Sequence, residues 1–283
     1  MNIESGQFLR FQIPVRTRQL WLTPAWAVLC GILASGAFLW TGRDVLIALL
    51  AVVIADGMWA TQWWGLVETD WRQLFADWKT IPVERAGRPL ALRGSPADRS
   101  QHGLARLRVW WQTIGREQAG MPLFSACFAL ALGILLSVVI GWQAVALTLA
   151  AFALTQIALL VQLQVRSPHW LHGFVAVGLP WVLGHATFGA LTLLSIVAAV
   201  LFSWSYAALL ALAQGAVPRL WLLPQMMLLV VLIWLQQPIA VLAALTLLAA
   251  QALLATVMHR LDFARAAQWW LMLTMLVVAL GIR

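Results

Sequence analysis

The feature that most constrains this chain is a series of about nine long apolar runs separated by mostly short polar segments. A bilayer hydrocarbon core of about 30 Å needs about 20 apolar residues in a helix, and the runs have about that length. Lipid offers no partner to unpaired backbone groups, which excludes open strands. The sequence predicts membrane helices at about 20–40, 45–67, 122–142, 144–165, 170–188, 190–213, 220–237, 239–258 and 266–282.

Composition supports a membrane environment for the whole chain. Of the 283 residues, 63% are hydrophobic and 10% are charged, whereas soluble domains are about 45–50% apolar and about 25% charged. Such a balance cannot cover a water-facing surface. We therefore predict an all-α integral membrane protein, with a single polytopic domain over 1–283 and a cytoplasmic loop at 68–120.

Basic residues predict the orientation of the helices. With a cytoplasmic N-terminus, 16 of the 18 Lys and Arg residues fall on the cytoplasmic side, and Arg43 and Arg283 fall on the other. Inner loops carry excess Lys and Arg in membrane proteins. We predict a multi-pass protein of a bacterial-type inner membrane with its N-terminus inside. The net charge of +8 then predicts contact with anionic membrane lipids rather than with nucleic acid.

Two further patterns concern the membrane surface. The segment 104–118, LARLRVWWQTIGREQ, places apolar residues at helical spacing with arginines between them. It predicts an amphipathic helix that lies on the membrane or caps a cavity opening. Tryptophans near the predicted helix ends are expected to be interface anchors: Trp63, Trp64, Trp71, Trp78, Trp110, Trp111, Trp142, Trp170, Trp269 and Trp270.

Three local segments add a resemblance to a known family. They are RTRQLWLTPAWAVLCG at 16–31, GRPLALRGSP at 87–96 and QVRSPHWLHGFVAVGLPWVLG at 164–184. With the nine runs and the long loop after the second run, they make the chain resemble the UbiA-type intramembrane prenyltransferases over nearly its whole length. The resemblance implies a UbiA-like helical bundle.

The same resemblance implies Mg²⁺ held by aspartates at the cytoplasmic ends of the second and sixth helices, where it binds an isoprenoid diphosphate. The family's first motif reads Asn-Asp-x-x-Asp-x-x-x-Asp. In this chain its three aspartate positions hold Gln62, Gly65 and Thr69, and the second motif's region at 212–219 contains no acid. We predict that both motifs are absent, so no metal site is expected. Mg²⁺ is expected only if Glu68 and Asp70 act as relocated catalytic ligands.

Other polar residues are candidates for binding a ligand. Asp56 lies well inside the second run, where an ionised group costs at least about 2.5–3.5 kcal/mol. It is either a ligand contact or proton site, or a carboxyl hydrogen-bonded to a neighbouring helix. A cavity is predicted between the second, fifth and sixth helices, with Gln62, Arg88 and Arg166 near its mouth, where Arg suits an anionic head group.

Arg93 and two histidines complete the candidates. Arg93 belongs to the same predicted ligand-binding set as Arg88. His172 and His185 bracket the fifth helix. Each could ligate a metal or the magnesium of a chlorophyll-type pigment, or could simply hydrogen-bond at an interface.

Three functions remain open at this point. In the first, a UbiA-like protein has lost Mg-dependent transfer and binds an isoprenoid, quinone or chlorophyll-type pigment, or acts as a structural or assembly subunit with other membrane subunits. In the second, an active prenyltransferase uses Glu68, Asp70, Arg88 and Arg93. In the third, the chain is an unrelated small transporter, although such proteins commonly carry intramembrane charge and interrupted helices. The missing aspartates favour the first function.

Overall fold

The structure, a computed structural model, describes residues 23–76, 95–164, 169–213 and 221–283. Every regular element within these ranges is a helix. Two polar helices, Trp71–Leu74 and Pro96–Trp110, lie between the second and third apolar helices. The apolar helices of the described ranges are α1 Pro24–Ser35, α2 Gly42–Glu68, α3 Gly120–Ile140, α4 Trp142–Gln164, α5 His169–Phe188, α6 Leu193–Ala213, α7 Leu223–Trp234, α8 Pro238–Val257 and α9 Arg260–Gly281.

The predicted all-α membrane architecture is confirmed. Seven helices of the described ranges are long and apolar enough to cross a membrane: α2 to α6, α8 and α9. The other two, α1 and α7, have 12 described residues each. They follow 1–22 and 214–220, which lie outside the described residues. The chain thus has the helices of a multi-pass membrane protein, while a count of nine crossings and a cytoplasmic N-terminus stay predictions.

A close crossing between α1 and α5 forms the centre of the bundle. A Cβ atom added to Gly31 would lie 2.1 Å from the carbonyl oxygen of Trp181. Reciprocally, a Cβ on Gly184 would lie 2.1 Å from the carbonyl oxygen of Val28. The two backbones therefore touch with no side chain between them, as small residues allow at membrane helix interfaces. We call this contact the central crossing.

Two apolar cores lie on opposite faces of the central crossing. One joins α1 and α5 to α6–α9 and contains the buried side chains of Phe202, Leu232 and Leu271. The other joins α1 and α5 to α2–α4 and contains Ile54 and Trp59. Because α1 and α5 contribute to both cores, they fix the two groups of helices relative to each other.

The connection between α3 and α4 is very short. Gly141 alone links α3 to α4. Its backbone φ is +145°, a conformation that residues other than glycine rarely adopt. A one-residue link forces its two helices to be antiparallel neighbours. At the same end of the bundle, the side chain of Arg283 lies against Gly36, which follows α1.

The segment predicted to be an amphipathic helix is helical, while its place on the membrane or over a cavity stays a prediction. Pro96–Trp110 is helical and continues into a π-helical turn, Trp111–Gly115. Trp110 attaches it to the segment after α2, since its indole N–H donates to the carbonyl of Leu74 at 2.9 Å and its ring stacks on Phe75. Leu104 and Leu107 of the same helix are exposed.

Three of the predicted interface tryptophans are not at a surface. Trp63, Trp71 and Trp110 are no more than 8% exposed and belong to apolar clusters at one end of the bundle. Their indole rings face neighbouring helices, a direction that nearness to a helix end does not reveal. Trp111, Trp142, Trp170 and Trp269 are exposed, as anchors should be.

We expect Trp110→Leu to loosen the polar helix without unfolding the bundle. The substitution removes the hydrogen bond to Leu74 and the stack on Phe75. Limited trypsin digestion in detergent should cut after Arg106 and Arg108 several times faster, because proteolysis reports local opening. The exposed neighbour provides the control, Trp111→Leu. Equal digestion rates for the two variants would show that Trp110 does not hold the helix.

Candidate ligand-binding site

Helix α2 is irregular in the half that precedes the polar loop. Two π-helical turns, Val53–Trp59 and Trp64–Glu68, flank a short α-helical stretch, Ala60–Trp63. A π turn adds a residue to the helical turn and re-aims the side chains that follow, and such turns are frequent at functional sites. The candidates on this helix, Asp56, Gln62 and Glu68, all lie in or between these turns.

Gln62 is buried in the bundle. Its side chain is 0% exposed, and neither its amide nitrogen nor its amide oxygen has a hydrogen-bond partner among the described residues. It lies six residues before the end of α2, about 9 Å along the helix axis. Gln62 is therefore buried below the end of α2, with donors and an acceptor that the described residues do not use; its place at the mouth of a cavity stays a prediction.

Next to Gln62, three rings from three helices meet. The Trp63 ring of α2 stacks on His172 of α5 with 4.7 Å between ring centroids, and the Tyr206 ring of α6 meets His172 edge-on at 6.0 Å. Trp63 and Tyr206 are buried, whereas His172 is partly exposed. We call these three residues the aromatic cluster. It brings together the second, fifth and sixth helices that were predicted to line a cavity; the cavity itself stays a prediction.

The three positions that correspond to the family's aspartates have separate roles here. Gln62 is the buried amide just described. Gly65 lies at the contact with α3, where an added Cβ would be 2.5 Å from the carbonyl oxygen of Pro122. Thr69 donates its hydroxyl to the carbonyl of Gly65 at 3.0 Å. No carboxylate fits at Gly65 in this bundle without separating α2 from α3.

The two relocated acid candidates, Glu68 and Asp70, are exposed at the end of α2. Asp70 accepts a hydrogen bond from the backbone N–H of Gln73 at 3.1 Å and so caps the helix Trp71–Leu74. Within the described ranges, no three His, Cys, Asp or Glu side chains lie close enough to hold one metal ion. The described residues at this helix end do not form the acidic cluster that would suit Mg²⁺.

Asp56 lies at a different depth along α2 from Gln62, Glu68 and Asp70. It is 0% exposed in the first π turn, six residues or about 9 Å deeper than Gln62. Two residues after Asp56, the side chain of Met58 lies against Gly133 of α3, so this turn packs against a neighbouring helix. Asp56 and Gln62 are therefore both buried in α2, but at different depths.

The two histidine candidates do not share a site. They are 13 residues apart on α5, which is about 20 Å along a helix. His172 belongs to the aromatic cluster. His185 is buried at the far end, where its Nε2 lies 3.0 Å from the carbonyl oxygen of Ala190 and fastens the segment after α5.

A cavity of about 270 Å³ lies at this far end, between the α3–α4 connection and the last turns of α5. Gly141, Gln143 and Thr187 are among its lining residues. It is well separated from the aromatic cluster. The arginine candidates Arg88, Arg93 and Arg166 lie outside the described residues.

Sequence reasoning missed two residues of this part of the bundle, Tyr206 and Ser125. Tyr206 is the single tyrosine of the chain and lies within an apolar helix, a signal that could have identified it. Ser125 of α3 is 1% exposed, and its hydroxyl has no hydrogen-bond partner in the described part of the chain. Nothing in the sequence distinguishes Ser125 from the other serines of apolar runs.

Comparison with known proteins finds one informative similarity. The chain is 26% identical over 179 residues to a chlorophyll synthase of the chloroplast from Avena sativa. The match covers 61% of this chain and 41% of that protein. No family model matches the chain, and no solved structure matches it. The chain is a membrane protein with partial similarity to a chlorophyll synthase.

Proposed function

We propose that the chain is a divergent UbiA-type membrane protein that binds a lipid-soluble isoprenoid, quinone or chlorophyll-type pigment and has lost Mg-dependent prenyl transfer. The observation that carries this proposal is the combination of Gln62 and the aromatic cluster. Where the family's first acidic motif falls, this chain has an uncharged amide without a partner among the described residues, followed by Trp63, whose ring contacts His172, which in turn contacts Tyr206. Flat rings and a few polar groups are typical linings of a small-molecule site.

The similarity to a chlorophyll synthase supports the family part of the proposal. It also motivates including a chlorophyll-type pigment among the ligand classes. In this proposal the helical bundle still binds a ligand, and the absence of the acidic motifs removes Mg-dependent prenyl transfer. In this proposal the protein resides in an inner membrane of bacterial type, with lipids and other membrane subunits as partners.

Mass spectrometry of the purified protein tests the binding role. Protein extracted in a mild detergent and passed through size exclusion should retain a quinone, isoprenoid alcohol or pigment at close to one molecule per chain. A fixed set of co-purifying membrane subunits without such a molecule would instead support a structural role. Recovery of phospholipid alone, with neither, would contradict both forms of the proposal.

The similarity to a chlorophyll synthase also favours a second function, active prenyl transfer with Glu68 and Asp70 as acidic groups. The assay supplies a radiolabelled prenyl diphosphate and candidate acceptors, with and without Mg²⁺. We expect no Mg-dependent product. Turnover that requires Mg²⁺ and falls at least tenfold in both Glu68→Gln and Asp70→Asn would establish the second function and overturn the first. Asp262→Asn, at the start of α9, is the matched control.

A further inference from the structure

The starting observation is the unpaired amide of Gln62. A carboxamide offers two N–H donors and one acceptor oxygen, and none of these is used by the described residues. Burial of such a group without a hydrogen bond costs about 2–7 kcal/mol on transfer scales. Buried polar groups in folded proteins are nearly always paired, so an unpaired one calls for a partner such as a ligand or an ordered water.

A second unpaired group lies at the same level of the membrane. Gly65 of α2 lies against Pro122 of α3, and Met58, earlier on α2, lies against Gly133, later on α3. The two helices therefore run antiparallel. Gln62 precedes Gly65 by three residues, and Ser125 follows Pro122 by three. Each is therefore about 4.5 Å beyond the Gly65–Pro122 contact, in the same direction.

Gln62 also faces α3. Met58, Gln62 and Gly65 recur at spacings of four and three residues, which places them on one side of the helix. Met58 and Gly65 both contact α3. The amide of Gln62 and the hydroxyl of Ser125 thus supply uncharged donors at one depth. Trp63, the next residue of α2, stacks on the partly exposed ring of His172.

These groups select for one kind of ligand head group. Neither an amide nor a hydroxyl carries charge. The first described ionisable residues after Gln62 are the acids Glu68 and Asp70, and the guanidinium of Arg72 donates to the carbonyl of Leu163 on α4. A diphosphate gains no charge compensation from these groups. A carbonyl oxygen accepts hydrogen bonds from both donors, and a flat conjugated ring packs favourably against aromatic rings.

We propose that Gln62 and Ser125 hydrogen-bond a conjugated carbonyl on the ring of a neutral, apolar-tailed ligand, of the quinone or chlorophyll-type pigment class, whose ring lies beside His172. This inference rests on the proposed function and deepens it, because it names the part of the ligand that is recognised. The isoprenoid tail contributes apolar burial, and the carbonyl determines which ring is accepted.

The test measures binding to the full chain in nanodiscs. The probes are decyl-ubiquinone, chlorophyll a and, as the anionic comparison, geranylgeranyl diphosphate with Mg²⁺. Gln62→Leu and Ser125→Ala should each raise the Kd of a neutral probe about tenfold, the effect of one hydrogen bond. Infrared difference spectra should show the bound carbonyl band at lower wavenumber, with the shift reduced in both variants. Gln143→Leu, in the far cavity, is the matched control and should leave the Kd unchanged.

Stability separates recognition from a structural role. Because the amide has no hydrogen-bond partner among the described residues, Gln62→Leu should maintain or raise the Tm of the ligand-free protein while weakening binding. If wild-type protein binds a neutral probe and Gln62→Leu and Ser125→Ala bind it equally well, the inference is overturned and the proposed function stands. Weakening by Gln143→Leu instead would assign binding to the far cavity and also overturn the inference.

The three probes also show which class of ligand supplies the carbonyl and whether the proposed function is wrong. Binding of decyl-ubiquinone alone identifies a quinone site, and binding of chlorophyll a alone identifies a pigment site. Binding of geranylgeranyl diphosphate with Mg²⁺, and of neither neutral probe, would overturn both the inference and the proposed function. Absence of binding by all three probes overturns the inference, and the co-purification experiment then decides the function independently.

Discussion

Alanine at Gly31 or Gly184 should destabilise the protein by about 3 kcal/mol. Each added Cβ would lie 2.1 Å from a backbone carbonyl oxygen of the opposite helix, and backbone cannot rotate away as a side chain can. Overpacking of a tight interior typically costs about 1–3 kcal/mol, and a backbone contact belongs at the upper end of that range. Unfolding of detergent-solubilised protein by increasing SDS, followed by circular dichroism, measures the loss.

The double variant Gly31→Ala/Gly184→Ala tests the geometry of the central crossing. Once one methyl group has pushed α1 and α5 apart, the second finds more room, so the combined loss should be clearly less than the sum. Gly103→Ala, in the polar helix, is the control, since nothing lies within 4 Å of its added Cβ. That control should be neutral or stabilising by up to about 1 kcal/mol. Additive or negligible effects at Gly31 and Gly184 would mean that α1 and α5 do not cross at these residues.

The second large effect is expected at a pair of amides between α7 and α8. Gln225 and Gln251 are almost fully buried, and each donates its side-chain N–H to the other's oxygen at 3.0 Å. Replacement of either residue by leucine leaves the remaining amide buried without its partner, which costs about 1–3 kcal/mol. Interhelical hydrogen bonds in membranes are worth somewhat less, about 0.6 kcal/mol on average. We expect each single variant to lose about 1–2 kcal/mol in the same SDS titration.

The double variant Gln225→Leu/Gln251→Leu should recover most of that loss. With both amides gone, neither amide is left buried without its partner, and apolar side chains of similar size replace the pair. Gln112→Leu, on the exposed side of the π turn after the polar helix, controls for the added hydrophobicity. A double variant as unstable as the sum of the singles would show that the two amides do not act as a pair.

The helices were predictable because lipid imposes one simple rule, that every span is apolar and helical. Hydropathy therefore located the seven long helices closely, although it placed Gly141 inside the third run, whereas α3 ends at Ile140. Hydropathy does not predict the direction in which each side chain faces. Trp63 and Trp110 lie near helix ends, where lipid interfaces attract indoles, yet neighbouring helices cover both rings.

The candidate site was predictable only at the level of its helices. Comparison with the family motif identified Gln62 as a replacement for an acid, and the structure adds that its amide is buried and unpaired. Tyr206 and Ser125 are distant from Gln62 in the sequence and reach its neighbourhood through packing of α6 and α3. The glycine pair at the central crossing was missed for the same reason: glycines are frequent in membrane helices, and which of them meet depends on the fold.

The central crossing has a mechanical consequence for solute movement. Transporters with alternating access rock one group of helices against another, so that a central pathway opens to each side in turn. Here α1 and α5 belong to both groups at once, and glycines interlocked with backbone carbonyls resist sliding. We expect the two groups to move as one rigid unit with no aqueous route between them. A lipid-soluble molecule would then enter and leave sideways from the bilayer.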